Sequence, residues 1–201
     1  DLPLATGAVD TVVMVRVMHH LADVPRALAQ IRRVMHAESV AVLEYANKRN
    51  LKAVARWLLG RQEWSPVDTE PVEFVELNYD FHPAWMWSRF EEARLRVRRQ
   101  FAVSHFRAEA IKRLVSAQTL AQIDRRLFGV GGRYPLAPSV FVQVSAPDAG
   151  PPAAWGRGPL DMAALLRCPV CFSEGTFAQA DADVLACGEC ESRFARRNSV
   201  W

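Results

Sequence analysis

Four cysteines carry the clearest chemistry in this chain. Cys168-Pro169-Val170-Cys171 and Cys187-Gly188-Glu189-Cys190 are two C-x2-C pairs separated by fifteen residues. A C-x2-C turn places two thiolates on the same side of a tight loop. A β-hairpin that brings the second pair opposite completes a tetrahedral four-thiolate site, the arrangement zinc prefers. Four thiolates leave no position for water, so the ion is expected to be structural. Gly188 is expected to take the positive φ that such a knuckle often needs. Two disulfides or a redox C-x-x-C are the alternatives, but a redox pair calls for one motif at a helix start. An iron–sulfur cluster usually has tighter spacing of its first three cysteines. A module of about 40 residues buries too little surface to fold unaided, whereas zinc can contribute on the order of 10 kcal/mol.

A second set of chemical groups follows two apolar runs. His19 and His20 come after Asp10–Met18, and Glu44, Tyr45 and Asn47 come at the end of Ser39–Tyr45. If both runs are strands of an open α/β sheet, all five residues stand at the carboxyl edge, where ligands bind. A histidine there can face cofactor or substrate, or act as a base near neutral pH; packing in the turn is the alternative. Glu44, Tyr45 and Asn47 are candidates to contact substrate, with a solvated loop as the alternative. Asp10 stands at the opposite end of its strand and reads as structural. Trp57, Trp64, Trp85 and Trp87 crowd an irregular stretch and suggest either a substrate lid or, more simply, core. His82 and His105 read as ordinary.

The elements that must hold these groups alternate in type. Asp10–Met18 is a β-branched strand, and Asp23–Met35 has helical spacing with Asp23 as N-cap and Pro25 in the first turn. Ser39–Tyr45 is a strand and Asn50–Leu59 a helix stopped by Gly60. This alternation predicts a parallel α/β sheet. Residues 61–82 read as loop with a short helix at most, Pro83–Ala93 as helix and Leu95–Ser104 as strand. Arg107–Phe128 reads as a long helix with a break near Ser116, and Ser139–Val144 as a last strand. A Pro/Gly/Ala-rich linker, 147–159, separates an α/β domain of residues 1–146 from the four-cysteine module of 160–201.

Composition adds bounds. The chain has 201 residues, half of them hydrophobic, and a formal net charge of +3, too weak a bias to argue for nucleic acid, which is not excluded. No apolar stretch approaches the roughly 18 residues of a membrane span. With no export signal visible, a reducing, cytoplasmic setting is expected.

The run from Leu2-Pro3 through Gly7 and Asp10 to Val12-Val13, then His19-His20-Leu21, Arg33-Val34 and Val40–Glu44, resembles the second half of a class I S-adenosylmethionine-dependent methyltransferase. Val9 stands where that family usually has an aromatic, and His36-Ala37-Glu38-Ser39 stands where it has a Pro-Gly-Gly turn. The resemblance implies a partial Rossmann-like methyltransferase sheet with flanking helices, S-adenosylmethionine as cofactor and His19 and His20 as cofactor-binding residues. The acceptor, a small molecule or a macromolecule, is left open. The family's Gly-rich cofactor loop and following acid precede the Leu-Pro motif, so the chain is expected to be a fragment that binds the cofactor poorly by itself. Gly129-Val130-Gly131-Gly132 does not substitute, because it follows a helix and leads into Arg133-Tyr134-Pro135. Leu165-Leu166-Arg167-Cys168-Pro169-Val170-Cys171 with the later Cys-Gly-Glu-Cys resembles the zinc ribbon of the small methyltransferase-activator proteins, which implies a zinc ribbon and a protein partner. The alternative is a non-catalytic scaffold whose ribbon binds a protein or RNA.

Overall fold

The computed structural model describes residues 1–106, 113–152 and 163–197. Two strand–helix units lead into its main sheet. β1 (Val9–Met14) is followed by a short 3-10 turn (Met18–His20) and α1 (Val24–Val34). Asp23 caps α1 by accepting from the Arg26 N–H, and Val24, Leu28, Ile31 and Val34 form its buried face. β2 (Met35–Ala46) begins directly at the end of α1, and Asn50 caps α2 (Leu51–Leu58) by accepting from the Ala53 N–H. The expected turn at His36–Ser39 is absent. His36 is instead buried in the strand, its Nε2 donating to Asp10 at 2.9 Å while Ser39 Oγ donates to the Val9 carbonyl. These bonds tie the amino ends of β1 and β2 together, the structural role expected for Asp10.

The sheet is mixed. Its order is β1-β2-β6-β5, where β5 is Arg96–Val103 and β6 is Ser139–Ser145. Only β1 and β2 run parallel; β6 is antiparallel to both of its neighbours. The parallel pairing expected from the first 58 residues is the β1–β2 pair, and the later strands β6 and β5 extend the sheet antiparallel. β6 slots between β2 and β5 because Val140, Val142 and Val144 are fully buried, the burial of a central strand. Tyr45, Phe81, Met86 and Phe90 complete the core beside them.

Residues 61–82, expected as loop, contain a hairpin of β3 (Val72–Val75) and β4 (Asn78–Asp80). Its strands are too short and too polar to show period-two alternation. α3 (Pro83–Glu92) starts on the N-cap His82. The expected helix from Arg107 lies outside the described residues as far as 112. A new helix, α4 (Ala117–Arg133), begins at the N-cap Ser116, the expected break, and runs past Phe128 through all four residues Gly129–Gly132. This corrects the placement of that segment after the helix. Asp124 accepts from His105 Nδ1 at 2.6 Å and from the backbone N–H groups of Ser104 and His105, pinning α4 to the end of β5. Burial opposes the Asp124 charge, but these bonds prevail and hold its pKa down.

The C-terminal unit is a three-stranded antiparallel sheet of β7 (Phe177–Asp181), β8 (Val184–Cys187) and β9 (Arg193–Ala195). The expected linker from residue 153 onward lies outside the described residues. Before that point the chain returns to the main sheet, where the Gly150 carbonyl accepts from the Ala37 N–H.

Candidate functional site

The four cysteines are free thiols whose Sγ atoms all lie within 4.8 Å of one another, and they could hold a metal ion. The two knuckles are built alike. Cys168 N–H donates to the Ser173 carbonyl and Phe172 N–H returns to Cys168; Cys187 N–H donates to Ser192 and Glu191 N–H returns to Cys187. The left-handed residue of each turn is the one after the second cysteine, Phe172 (φ 64°) and Glu191 (φ 59°). Gly188 does not have a positive φ, which corrects the sequence expectation. A small residue is needed there because a Cβ would sit 3.0 Å from the Thr176 carbonyl oxygen. Ser173 Oγ lies 3.1 Å from Cys171 Sγ and 3.2 Å from Cys187 Sγ, and Ser192 Oγ lies 3.2 Å from Cys190 Sγ. The hydroxyls of Ser173 and Thr176, with backbone N–H groups, pull the Cys187 thiol down to about 5, whereas burial pushes Cys168 up. These serines were missed from the sequence, although the repeated C-x2-C-x-S pattern points to them.

At the other end of the main sheet is a cavity of about 430 Å³. Its walls come from the carboxyl ends of β1, β2 and β5, the amino end of β6 and the β3–β4 hairpin, with Arg16, His19, Glu44 and Asp80 as its charged or titratable lining. It occupies the edge at which open α/β sheets bind ligands. Glu44 is buried and both carboxylate oxygens are engaged, Oε2 by the Arg16 N–H at 2.7 Å and Oε1 by Ser139 Oγ at 2.5 Å. Arg16 is held at φ 59°, an uncommon conformation for a non-glycine residue, and it aims that N–H at Glu44. His19 Nδ1 is buried and has no hydrogen-bond partner. Burial foremost, then the neighbouring His20 (ring centroids 4.0 Å apart), lowers the His19 pKa, with Glu44 opposing. The imidazole is therefore held toward its neutral form, and the residue lines the cavity while its Nδ1 is buried.

Residues 1–43 match the family model described as a methyltransferase domain. The match spans β1, α1 and most of β2. No curated protein matches the chain. Among solved structures it is similar to a chain of the complex between the Haloferax volcanii Trm112 methyltransferase activator and a methyltransferase (17% identity, 73% of this chain and 58% of that one, TM-score 0.45). It is also similar to a SAM-dependent methyltransferase from Archaeoglobus fulgidus (18% identity, 71% and 61%, TM-score 0.38) and to one from Thermotoga maritima (13%, 73% and 60%, TM-score 0.43). The chain thus spans roughly three-fifths of the length of these methyltransferase structures.

At the carboxyl ends of β1 and β2 the structure separates residues that the sequence grouped. His19 lines the cavity, but His20 turns to the hairpin, its Nδ1 donating to the Leu77 carbonyl at 2.9 Å. Glu44 lines the cavity, but Tyr45 does not. Strand alternation sends its ring into the core, fully buried, and burial raises the phenol pKa, so the expected substrate contact is corrected to packing. Asn47 is buried and saturated: Nδ2 donates to the Pro135 and Ala137 carbonyls and Oδ1 accepts from the Arg49 N–H. It is the staple that fixes the approach to β6, not a substrate contact. Asn47→Ala strands two carbonyls and an amide, and is expected to cost about 2 kcal/mol, read as a lowered midpoint in thermal melts; an unchanged midpoint would contradict this assignment.

The tryptophans do not form a lid over this cavity; none of the four lines it. Trp85 stacks on Phe81 at 5.4 Å, the Arg89 guanidinium lies over the Trp85 ring at 5.2 Å, and Trp87 donates to Gln100 Oε1. A further hollow of about 970 Å³ between α3, β5 and residues 147–148 lies away from these carboxyl ends, and none of its lining residues carries an unpartnered buried polar atom among the described residues. No helix among the described residues is long and apolar enough to cross a membrane.

Proposed function

We propose that this chain serves methyl transfer from S-adenosylmethionine and that its cavity receives the methyl acceptor. The observation that carries the reading is that the methyltransferase-matched β1–α1–β2 unit opens, at its carboxyl edge, on a cavity lined by His19 and Glu44. A volume of about 430 Å³ lies in the range of small-molecule sites. Val15, Phe74, Val103 and Phe141 supply apolar wall, and Arg16, Glu44 and Asp80 supply polar points.

The cofactor itself fits these residues less well. The glycine-rich segment Gly129–Gly132 is enclosed in α4, where a Cβ on Gly132 would meet the Gln100 carbonyl oxygen rather than open space. It is no cradle for a nucleotide, and no other glycine-rich loop faces the cavity among the described residues. When bound, S-adenosylmethionine supplies an activated methyl on a sulfonium, so the protein need only align the acceptor and relieve it of a proton. We assign the second to the His19 imidazole, with Glu44, fixed by Arg16 and Ser139, adding negative potential beside it.

The test is methyl incorporation from labelled S-adenosylmethionine into panels of small-molecule, RNA and protein acceptors. His19→Ala is expected to lower turnover by about 10²-fold or more, the usual worth of a general base, while His20→Ala is expected to have a smaller effect. Because the His19 pKa is lowered, the rate should hold through the ordinary histidine range and fall only at more acid pH, as His19 protonates. These measurements are made on the whole protein of which this chain is read as a fragment, and absence of both cofactor binding and incorporation there would defeat the reading.

The cysteine cluster belongs to the same proposal as a structural zinc site. Four thiolates around zinc at about 2.3 Å stand roughly 3.8 Å apart. The Cys168–Cys190 and Cys171–Cys187 separations are 3.7 and 3.6 Å. A thiolate set of this kind suits a reducing, cytoplasmic setting. The division into 1–146, a linker at 147–159 and a ribbon at 160–201 is part of this reading.

A further inference from the structure

The ribbon is joined to the rest of the chain by more than a linker. Ala5 N–H donates to the Leu165 carbonyl at 2.8 Å and Arg167 N–H to the Pro3 carbonyl at 3.2 Å, closing an antiparallel bridge between Leu4 and Leu166. Glu174 then grips Thr6 twice: Oε2 accepts from its N–H at 3.0 Å and Oε1 from its hydroxyl at 2.8 Å. Arg33 of α1 stands on the same junction. It donates to the Leu4 carbonyl at 2.6 Å and the Leu2 carbonyl at 2.9 Å, and reaches Glu174 at 3.4 Å. The Arg33 carbonyl accepts from the Gly7 N–H.

We propose that the partner of the ribbon is this chain's own segment 2–7, and that the bound metal holds the clamp shut. The residues that grip are the ones the first knuckle positions. Arg167 precedes Cys168, and Glu174 follows Ser173, which accepts from the Cys168 N–H; an isolated bridge pairs Arg167 with Glu174 across the turn. Arg167 also lies over the Phe172 ring at 4.8 Å and 3.8 Å from Glu174. A metal that fixes Cys168 and Cys171 thereby fixes the spacing between the Arg167 backbone and the Glu174 carboxylate. That spacing matches segment 2–7 as a strand on one side and Thr6 on the other. The segment leads straight into β1, so the ribbon sets the entry of the chain into the sheet from the edge opposite the cavity. No ribbon residue lines that cavity among the described residues, which suits a clamp and not an acceptor-binding role.

The proposal does not depend on methyl transfer and is tested without it. Residue-level amide hydrogen exchange by NMR would be compared in the zinc-loaded chain, in the chain after chelation, and in Glu174→Ala. Chelation is expected to speed exchange of the Ala5, Thr6 and Arg167 amides at least 10-fold while residues 139–145 of β6 stay protected. Glu174→Ala, which removes no metal ligand, is expected to speed the Thr6 amide while one zinc per chain is retained by native mass spectrometry. Unchanged exchange at Ala5 and Thr6 after chelation, unchanged Thr6 exchange in Glu174→Ala, or uniform loss of protection through β6 would each overturn the clamp.

Discussion

Replacing Cys168 by serine will abolish metal binding and unfold residues 163–197 together. The buried core of the ribbon consists of Cys168, Phe177, Leu185 and Cys187, with Ala163, Leu166, Cys190 and Phe194 packed around it. Three of those eight residues are cysteines of the candidate metal cluster, and the aromatic pair among them is Phe177 against Phe194, with centroids 5.7 Å apart. So small an apolar cluster cannot offset the entropy of ordering the strands. A structural zinc can, because its binding free energy, about 10 kcal/mol or more, is folding free energy for a module of this kind. The expected readings are one zinc per wild-type chain, essentially none in the variant, and collapse of the ribbon's NMR dispersion with β2 and β6 resonances retained. A metal-free variant whose ribbon resonances stay in place would show that apolar packing suffices.

Gly132→Ala is the most damaging substitution expected in the α/β unit. A Cβ at that position would lie 2.1 Å from the Gln100 carbonyl oxygen, and backbone on both sides leaves it nowhere to go. Gln100 Nε2 already donates to the Gly132 carbonyl at 2.6 Å, so helix and strand are locked at this point. Forcing α4 away from β5 should cost about 3 kcal/mol, the upper part of the usual overpacking range. Gly129 provides the control in the same helix. Nothing lies within 4 Å of its Cβ position, so Gly129→Ala should be neutral or stabilising by up to about 1 kcal/mol through helix propensity. Urea unfolding of the two variants separates the effects. Equal midpoints would mean that α4 does not pack on β5 as closely as the structure has it.

Much of the fold was legible because local rules and tertiary packing agree in it. Asp23 before Pro25, Asn50 before Leu51 and Ser116 before Ala117 are caps whose side chains satisfy amides that a helix start leaves free, whatever the surroundings. The hairpin at 72–80 was not legible. Its strands are held by the neighbouring turn, with His20 on Leu77 and β4 continuing to the Asn47–Phe81 bridge, and not by their own alternation. The glycine run was misplaced for a related reason. Gly131 and Gly132 look like a helix stop but serve close approach to β5, a demand that only the packed structure creates.

The candidate site divides in the same way. Cysteine spacing alone specifies four thiols that can converge, because two C-x2-C turns and one hairpin leave little freedom in where the sulfurs go. It does not specify Ser173, Thr176 or Ser192, nor that Glu174 reaches Thr6. For the histidines and the β2 residues, the sequence determined the strand and the edge but not the direction of each side chain. Successive strand residues point to opposite faces, so Glu44 meets the cavity while Tyr45 enters the core, and that choice depends on which face β6 and the helices cover. What the sequence determined by itself is the capped helices, the strands of the main sheet and the four-cysteine set, since these follow from short-range geometry. The tertiary structure alone decided that His19 and not His20 lines the cavity, that Asn47 is a staple, and that the ribbon folds back on residues 2–7. Each of these depends on contacts between residues distant in the chain.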